Sequence, residues 1–129
     1  MPARSLTLTV LPGRYAICRL EPGGATPSWA TAGPLFSVTR TGEELSILCP
    51  EGLVPPGIRH AGDWRALKIE GPFEFSEVCI LASVTTPLAG AGVSLFAIST
   101  FDTDYVLVKE ATLERAAEAL AAAGHQVRR

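Results

Sequence analysis

The run ISTFDTDYVLV at residues 98–108 places two carboxylates between apolar flanks that are typical of a buried strand. Its polar residues are Ser99, Thr100, Asp102, Thr103 and Asp104. A carboxylate at the start of a buried strand is costly without a partner. Asp104 should therefore pair with a backbone N–H, a basic side chain or the ammonium of a ligand. Asp102 can instead belong to a turn in which its side chain binds its own backbone.

The two aspartates could also hold a divalent cation. Asp102 and Asp104 would point to one face of an extended chain. Magnesium or calcium needs further oxygen ligands, and Glu43 and Glu44 need not lie near. We therefore expect neither a metal site nor a cofactor, and a metal-binding protein or small enzyme that uses this pair is the third hypothesis.

Residues 86–92, TPLAGAG, could bind the carboxylate of a small molecule. Thr86 can cap a helix, Pro87 suits its first position, and the glycines let a ligand approach the backbone. Backbone N–H groups at a helix start attract anions. The alternative is a tight strand-to-helix connection, with glycine where the helix packs on the sheet.

The composition excludes several classes of protein. The chain of 129 residues is 47% hydrophobic and 19% charged, so it can bury a core as one ordinary domain or two very small ones. A formal net charge of −2 gives no reason to expect nucleic acid or a membrane surface. No segment approaches the about 20 apolar residues of a membrane span, and the N-terminus lacks the apolar region of a signal peptide.

The three cysteines lie far apart in apolar runs, which predicts buried free thiols in a cytoplasmic protein. They are Cys18, Cys49 and Cys79. The two histidines, His60 and His125, are interpreted as solvated or capping residues, and no phosphate-binding loop or nucleophile motif is present.

The elements that position these residues follow from alternation, turns and helical periodicity. Strands are predicted at residues 5–11, 14–20, 35–40, 44–49, 64–70, 78–84, 95–99, 105–109 and 125–127. A helical turn is predicted at 28–32, a loop or broken turn at 51–61 and a short helix or turn at 87–92. A longer helix is predicted from a cap at Thr112 to Gly124.

The two halves of the chain repeat each other. Residues 35–53 align with residues 95–113 at an offset of 60 without a gap, and the element order recurs. Each half reads as βαββαβ. The predicted fold class is therefore α+β, with two tandem ferredoxin-like domains whose antiparallel sheets carry helices on one face. We assign residues 1–61 to the first domain, with its last strand at 63–70, and 62–129 to the second.

The stretch PLAGAGVSLFAISTFDTDYVLV at residues 87–108 resembles small bacterial proteins built from two tandem ACT-like domains. That family is related to the regulatory domains of aspartate kinase and to the animal arginine sensors of the CASTOR type. The resemblance extends more weakly to the FxFxEVCIL motif at residues 73–81 and to the first half.

The resemblance implies a regulatory fold that binds an amino acid between two ACT domains, and it implies no catalysis. It places the pocket walls at residues 86–93 and 100–104. Phe101 and Asp104 match ligand-contacting positions of the arginine sensors, with Asp104 at the α-amino group. The implied ligand-binding residues are Thr86, Leu88, Gly90, Gly92, Val93, Thr100, Phe101 and Asp104. Gly90 stands where relatives often place an acidic side chain.

The leading hypothesis is a non-catalytic, cytoplasmic homodimer that senses an amino acid at a domain or subunit interface. Sheet edges left open by two small sheets support dimerisation. The second hypothesis is an interaction module without a ligand. Neither hypothesis involves nucleic acid or a membrane.

Overall fold

The computed structural model describes residues 5–73 and 79–129. In chain order the strands are β1 Thr7–Val10, β2 Tyr15–Leu20, β3 Ser37–Arg40, β4 Leu45–Pro50, β5 His60–Ile69, β6 Leu95–Ser99, β7 Asp104–Lys109 and β8 Gln126–Arg128. The helices are α1 Ile80–Gly90 and α2 Leu113–Ala122, and 3-10 turns cover Ser28–Thr31, Glu51–Leu53 and Glu110–Thr112. Over the described ranges, none of these helices has the length and apolar character of a membrane span.

The chain forms two compact units. The smaller unit is Gly13–Trp64, and the larger one combines Arg65–Arg129 with the N-terminal segment that ends at Pro12. This grouping differs from the predicted ranges 1–61 and 62–129, because β1 pairs with β5 and β8 of the larger unit. A division of the chain into two ACT-like domains stays a prediction.

In the smaller unit the strands lie in the order β3–β4–β2–β5, and all these pairs are antiparallel. Its core consists of buried residues of β2, β4 and the first 3-10 turn, namely Ala16, Cys18, Ala30, Leu45, Ile47 and Cys49. Residues 13–64, all of which the structure describes, contain 3-10 turns but no α-helix. A complete βαββαβ arrangement in this half is therefore not observed.

In the larger unit the strands lie in the order β8–β1–β5–β7–β6. β1 is antiparallel to β5 but parallel to β8, so the sheet is mixed where the sequence predicted an antiparallel one. One hydrophobic cluster joins the strands to both helices, with Leu67 and Ile69 of β5, Val106 and Val108 of β7, and Leu88 of α1 among its members. The α+β class is confirmed.

The largest correction concerns residues 78–84, which the sequence predicted as a central strand. The structure places α1 over Ile80–Gly90, and Val78 lies outside the described residues. The apolar run is helical because Ile80, Val84 and Leu88, spaced four apart, form one buried face against the sheet. Thr86 and Pro87 consequently lie inside a helix and do not begin one.

His125 supplies the hydrogen bond that Pro87 cannot make inside α1. In a helix the N–H of residue 87 would donate to the carbonyl of Ser83, but proline has no N–H. The Nε2 atom of His125 lies 2.8 Å from that carbonyl oxygen, and its Nδ1 accepts a hydrogen bond from the N–H of Leu6 at 3.1 Å. Because Nδ1 accepts, Nε2 carries the hydrogen and donates. His125 is thus a buried structural residue. Of the two predicted roles, solvated or capping, the first is not observed.

Both helices end in the same way. After α1, the N–H of Gly92 donates to Ala89 and that of Val93 to Leu88, with a φ of 72° at Gly92. After α2, the N–H of Gly124 donates to Ala121 and that of His125 to Leu120, with a φ of 94° at Gly124. This is the Schellman motif, which requires a left-handed residue and favours glycine. Helix termination therefore explains Gly92.

Other sequence predictions hold with small shifts. β6 and β7 follow the predicted 95–99 and 105–109, and α2 follows the predicted helix. Thr112 is the N-cap residue of α2, but its hydroxyl donates to the carbonyl of Lys109 and does not cap the helix. Cys18 and Cys49 are buried free thiols as predicted, whereas Cys79 is exposed because it precedes α1 and does not lie within a strand.

Candidate functional site

The polar corner between β6 and β7 is a four-residue turn at the end of an antiparallel ladder. The ladder runs from the pair Leu95–Val108 to the pair Ser99–Asp104. The N–H of Thr100 donates to the carbonyl of Thr103 at 2.8 Å, and the N–H of Thr103 donates to the hydroxyl of Thr100 at 3.3 Å. The hydroxyls at this corner therefore hold the turn in one conformation.

The hydrogen-bond partner of Asp104 lies on the neighbouring strand, β6. The hydroxyl of Ser99 donates a short hydrogen bond to Oδ1 of Asp104. Asp104 alternates with Val106 and Val108, which belong to the cluster that contains the helices, so its side chain lies on the helix-bearing face of the sheet. Within the described residues its Oδ2 accepts no hydrogen bond, and this oxygen can accept one from a ligand.

Two contacts attach the corner to the chain that follows β5. The buried hydroxyl of Thr103 donates to the carbonyl of Ile69, and the N–H of Phe73 donates to the carbonyl of Asp102 at 2.9 Å. Gly71 lies close to the corner, since a Cβ added there would stand 3.1 Å from the carbonyl oxygen of Asp102. The corner and the segment after β5 are thus held together by hydrogen bonds and close contact.

A cavity of about 150 Å³ opens between these two segments. It is lined by Lys68, Gly71, Pro72, Asp102 and Thr103. Lys68 and Asp102 therefore border the same small space. Sequence reasoning missed Lys68, Gly71 and Pro72 as residues of a cavity.

The structure brings only three of the predicted ligand-binding residues together. Thr100, Phe101 and Asp104 lie at the corner, and Phe101 is 77% exposed. In the smaller unit the corresponding corner carries an ordinary turn, in which Thr41 binds the backbone of Glu43 and Glu44. The hydrogen bonds of the two turns are alike, since the N–H of Thr41 donates to the carbonyl of Glu44 as that of Thr100 does to Thr103.

The other five predicted residues lie elsewhere. Thr86, Leu88 and Gly90 belong to α1, and Gly92 and Val93 precede β6. Gly92 and Val93 are separated from the corner by the whole of β6, which spans about 13 Å at 3.3 Å per residue. Leu88 and Val93 are also buried in the core. The expected grouping of both segments around one pocket is not observed, because α1 runs through residues 86–90; a ligand-contacting role for these five stays a prediction.

Among the described residues, Asp102 and Asp104 belong to no group of side chains that could hold a metal ion. Asp102 lies in the turn, whereas Asp104 begins β7 and is bound by Ser99. Across residues 5–73 and 79–129, no group of three or more His, Cys, Asp or Glu side chains could hold a metal ion. The predicted pairing of the two aspartates on one face of an extended strand is therefore not supported.

Comparison with known proteins identifies the family. A model of the ACT domain matches residues 59–122, and a second model, which describes an N-terminal domain, matches residues 13–57. A protein from Agobacterium tumefaciens of known crystal structure is 42% identical, with a TM-score of 0.92, over 97% of this chain and 93% of that one. The chain belongs to the ACT domain family.

Two further relatives carry functional names. The human cytosolic arginine sensor for mTORC1 subunit 1 is 46% identical over 48 residues, which are 36% of this chain and only 15% of the sensor's length. The regulatory subunit of aspartate kinase from Thermus thermophilus has a TM-score of 0.64 at 12% identity, over 90% of this chain and 96% of that one. The similarity to the aspartate kinase subunit, at 12% identity, shows only a shared fold. The predicted resemblance to ACT proteins is confirmed.

Proposed function

We propose that this chain is a non-catalytic regulatory protein that binds an amino acid at the β6–β7 corner. The observation that carries the proposal is the placement of Asp104. Ser99 holds one of its carboxylate oxygens, and the other accepts no hydrogen bond within the described residues. A fixed carboxylate with a free oxygen suits the α-ammonium group of an amino acid. The likeness to the arginine sensor supports this class of ligand.

The proposed regulation works through an interface. The corner projects beyond the ladder with exposed Phe101 at its tip, so a second domain or subunit can cover a ligand that sits on Asp104. We propose a homodimer in the cytoplasm. A ligand shared by two domains shifts their arrangement only if it binds one arrangement more tightly than the other.

A second candidate function is an interaction module without a ligand. Exposed Phe101 favours it, since an aromatic side chain that is 77% exposed at a rigid turn can serve as an anchor for a protein partner. Under this alternative the corner would bind protein, and free amino acids would leave the stability of the chain unchanged.

A thermal-shift screen against the twenty amino acids separates the two candidates. A ligand at 100 times its dissociation constant stabilises the folded state by about 2.7 kcal/mol, which raises the melting temperature measurably. At least one amino acid should raise it in the wild type. No shift with any of them would refute amino-acid sensing, and a shift that needs a divalent cation and disappears on chelation would favour a metal site.

A further inference from the structure

His125 joins three segments of the larger unit to one another. Its Nδ1 accepts the N–H of Leu6 at 3.1 Å, and its Nε2 lies 2.8 Å from the carbonyl oxygen of Ser83 in α1. Its own backbone N–H donates to the carbonyl of Leu120 near the end of α2. His125 is 5% exposed, so water does not replace these contacts. The residue is therefore a junction between the segment before β1 and both helices.

The two ring contacts of His125 require a neutral imidazole. The N–H of Leu6 can only donate, so Nδ1 must keep its lone pair, and the carbonyl of Ser83 can only accept, so Nε2 must carry the hydrogen. In an imidazolium both ring nitrogens carry hydrogens and neither can accept. Protonation therefore preserves the contact to Ser83 and breaks the contact to Leu6.

The surroundings of the ring offer no acidic partner among the described residues. His125 has no contact there besides the hydrogen bonds given above. α1 and β1 contain no charged residue, and Cys79, which precedes α1, is exposed. The charged residues of α2, β8 and the C-terminus are all exposed, namely Glu114, Arg115, Glu118, Arg128 and Arg129. A positive charge on His125 would therefore gain no ion pair in return for the lost hydrogen bond.

The contact to Leu6 lies where the N-terminal segment meets β8. The hydroxyl of Ser5 donates to the carbonyl of Gly124 at 2.6 Å, and the N–H of Gln126 donates to the carbonyl of Leu6 at 2.8 Å. β1 is an interior strand, paired with β5 on one side and with β8 on the other. Loss of the acceptor for the Leu6 N–H therefore weakens the attachment of β1 to β8 at its first residues.

We propose that His125 is a pH-sensitive latch, which holds the start of β1 against β8 while it is neutral and releases it when it is protonated. Histidine changes its charge between about pH 8 and about pH 5. Because the open form takes up the proton more readily than the latched form, local opening of β1 becomes more frequent as the pH falls. The latch is independent of the proposed ligand site at Asp104.

His60 provides a contrast within the same chain. Its ring is exposed, and its Nδ1 lies 2.7 Å from the carbonyl oxygen of Ile58. A carbonyl accepts, so Nδ1 donates and this hydrogen bond survives protonation at Nε2. Titration of His60 should therefore release no segment.

NMR of the ¹⁵N-labelled full chain tests the latch between about pH 7.5 and about pH 5. Long-range ¹H–¹⁵N spectra of the imidazole report the tautomer and charge of His125, and hydrogen exchange gives amide protection factors. We expect the Nε2–H tautomer at the upper pH. As the imidazolium forms, the protection factors of Leu6 and Gln126 should fall about tenfold or more, because a buried donor loses its acceptor. The Val93 amide, which occupies the corresponding position after α1, should keep its protection.

His125→Asn is the matched variant, since the asparagine Oδ1 can accept the N–H of Leu6 as Nδ1 does but takes up no proton. Its protection factors at Leu6 and Gln126 should not change with pH, whereas those of His60→Asn should fall as in the wild type. A folded His125→Asn that loses protection like the wild type would overturn the latch.

Three results from the wild type alone would also overturn the latch, so the test does not depend on the folding of the variant. They are an Nδ1–H tautomer at the upper pH, an imidazole that stays neutral down to about pH 5, and constant protection at Leu6 and Gln126 while the imidazolium forms.

Discussion

Ser99 donates its hydroxyl hydrogen to Oδ1 of Asp104 across the last residue pair of the β6–β7 ladder. This contact explains why a strand-like run carries two carboxylates. Asp104 begins the strand with a partner on the neighbouring strand, whereas Asp102 lies in the turn and its backbone carbonyl receives the N–H of Phe73. The two aspartates therefore have different structural settings, and only Asp104 is a candidate for the ligand site of the proposed function.

Thr103→Val should destabilise the folded protein by about 1–3 kcal/mol, because it removes the buried hydroxyl that donates to the carbonyl of Ile69. Urea unfolding measures the change in the free energy of unfolding. Thr86→Val is the matched control, since Thr86 is exposed on α1 and an exposed substitution usually costs less than about 0.5 kcal/mol. Equal effects of the two substitutions would contradict the role given to the Thr103 hydroxyl.

Gly92→Ala should cost about 1–2 kcal/mol, because Gly92 has a φ of 72° and a side chain disfavours this left-handed conformation. Gly90→Ala provides the comparison: Gly90 lies in α1, has no positive φ, and a Cβ there meets nothing within 4 Å. That substitution should be neutral or stabilising by up to about 1 kcal/mol. Thermal unfolding distinguishes the two, and a tolerated Gly92→Ala would argue against the Schellman ending of α1.

His125→Ala should be strongly coupled to Pro87→Ala. In the wild type, His125 supplies the donor to the Ser83 carbonyl that Pro87 cannot supply. Pro87→Ala restores a backbone N–H at this position, so the loss of His125 should cost less in that background, by about 0.5 kcal/mol or more. A double-mutant cycle in urea measures the coupling. Additive effects would show that the His125 contact does not replace the missing helix hydrogen bond.

The stability of the smaller unit should fall at alkaline pH through its buried thiols. Burial, the main cause, and neighbouring Cys49 together raise the pKa of Cys18 from its ordinary 9.0 to about 12. The pKa of Cys49 is also raised by burial. Because the folded thiol holds its proton more tightly than the unfolded one, this stabilisation is complete below pH 9 and is lost as the pH rises towards 12.

The free energy of unfolding, measured from about pH 8 to about pH 11, tests this pH dependence. In Cys18→Ala the free energy of unfolding should fall less steeply with rising pH than in the wild type. Cys79→Ala is the control, since Cys79 is exposed and should leave the decline unchanged. If the free energy of unfolding fell equally with pH in the wild type and both variants, Cys18 would not be the source of the pH dependence.

Several elements of the fold could be predicted from the sequence, because in them the local residue pattern and the tertiary packing favour the same structure. The hairpin of β6 and β7 and the helix α2 have clean alternation or helical spacing, and the chain adopts them. The corner at Thr100 and Asp104 was located for the same reason, since its turn residues interrupt two strand-like runs.

The helix α1 could not be predicted because its apolar run fits two periodicities. The residues VCILASV alternate poorly and are apolar except for Ser83, which suits a buried strand as well as a helix. The helix is favoured because it packs Ile80, Val84 and Leu88 together against the sheet. Residues 86–90 are part of this helix. The cavity beside Lys68 depends on the approach of two segments that are distant in sequence.

Isothermal titration calorimetry with the amino acid that gives the largest thermal shift tests the central claim most directly. The comparison is between the wild type, Asp104→Asn and Asp102→Asn. We predict that Asp104→Asn weakens binding about tenfold or more, because an ammonium loses its charged partner. Asp102→Asn should retain the wild-type affinity for that site. Unchanged affinity in a folded Asp104→Asn variant would contradict the assignment of the β6–β7 corner as the amino-acid site.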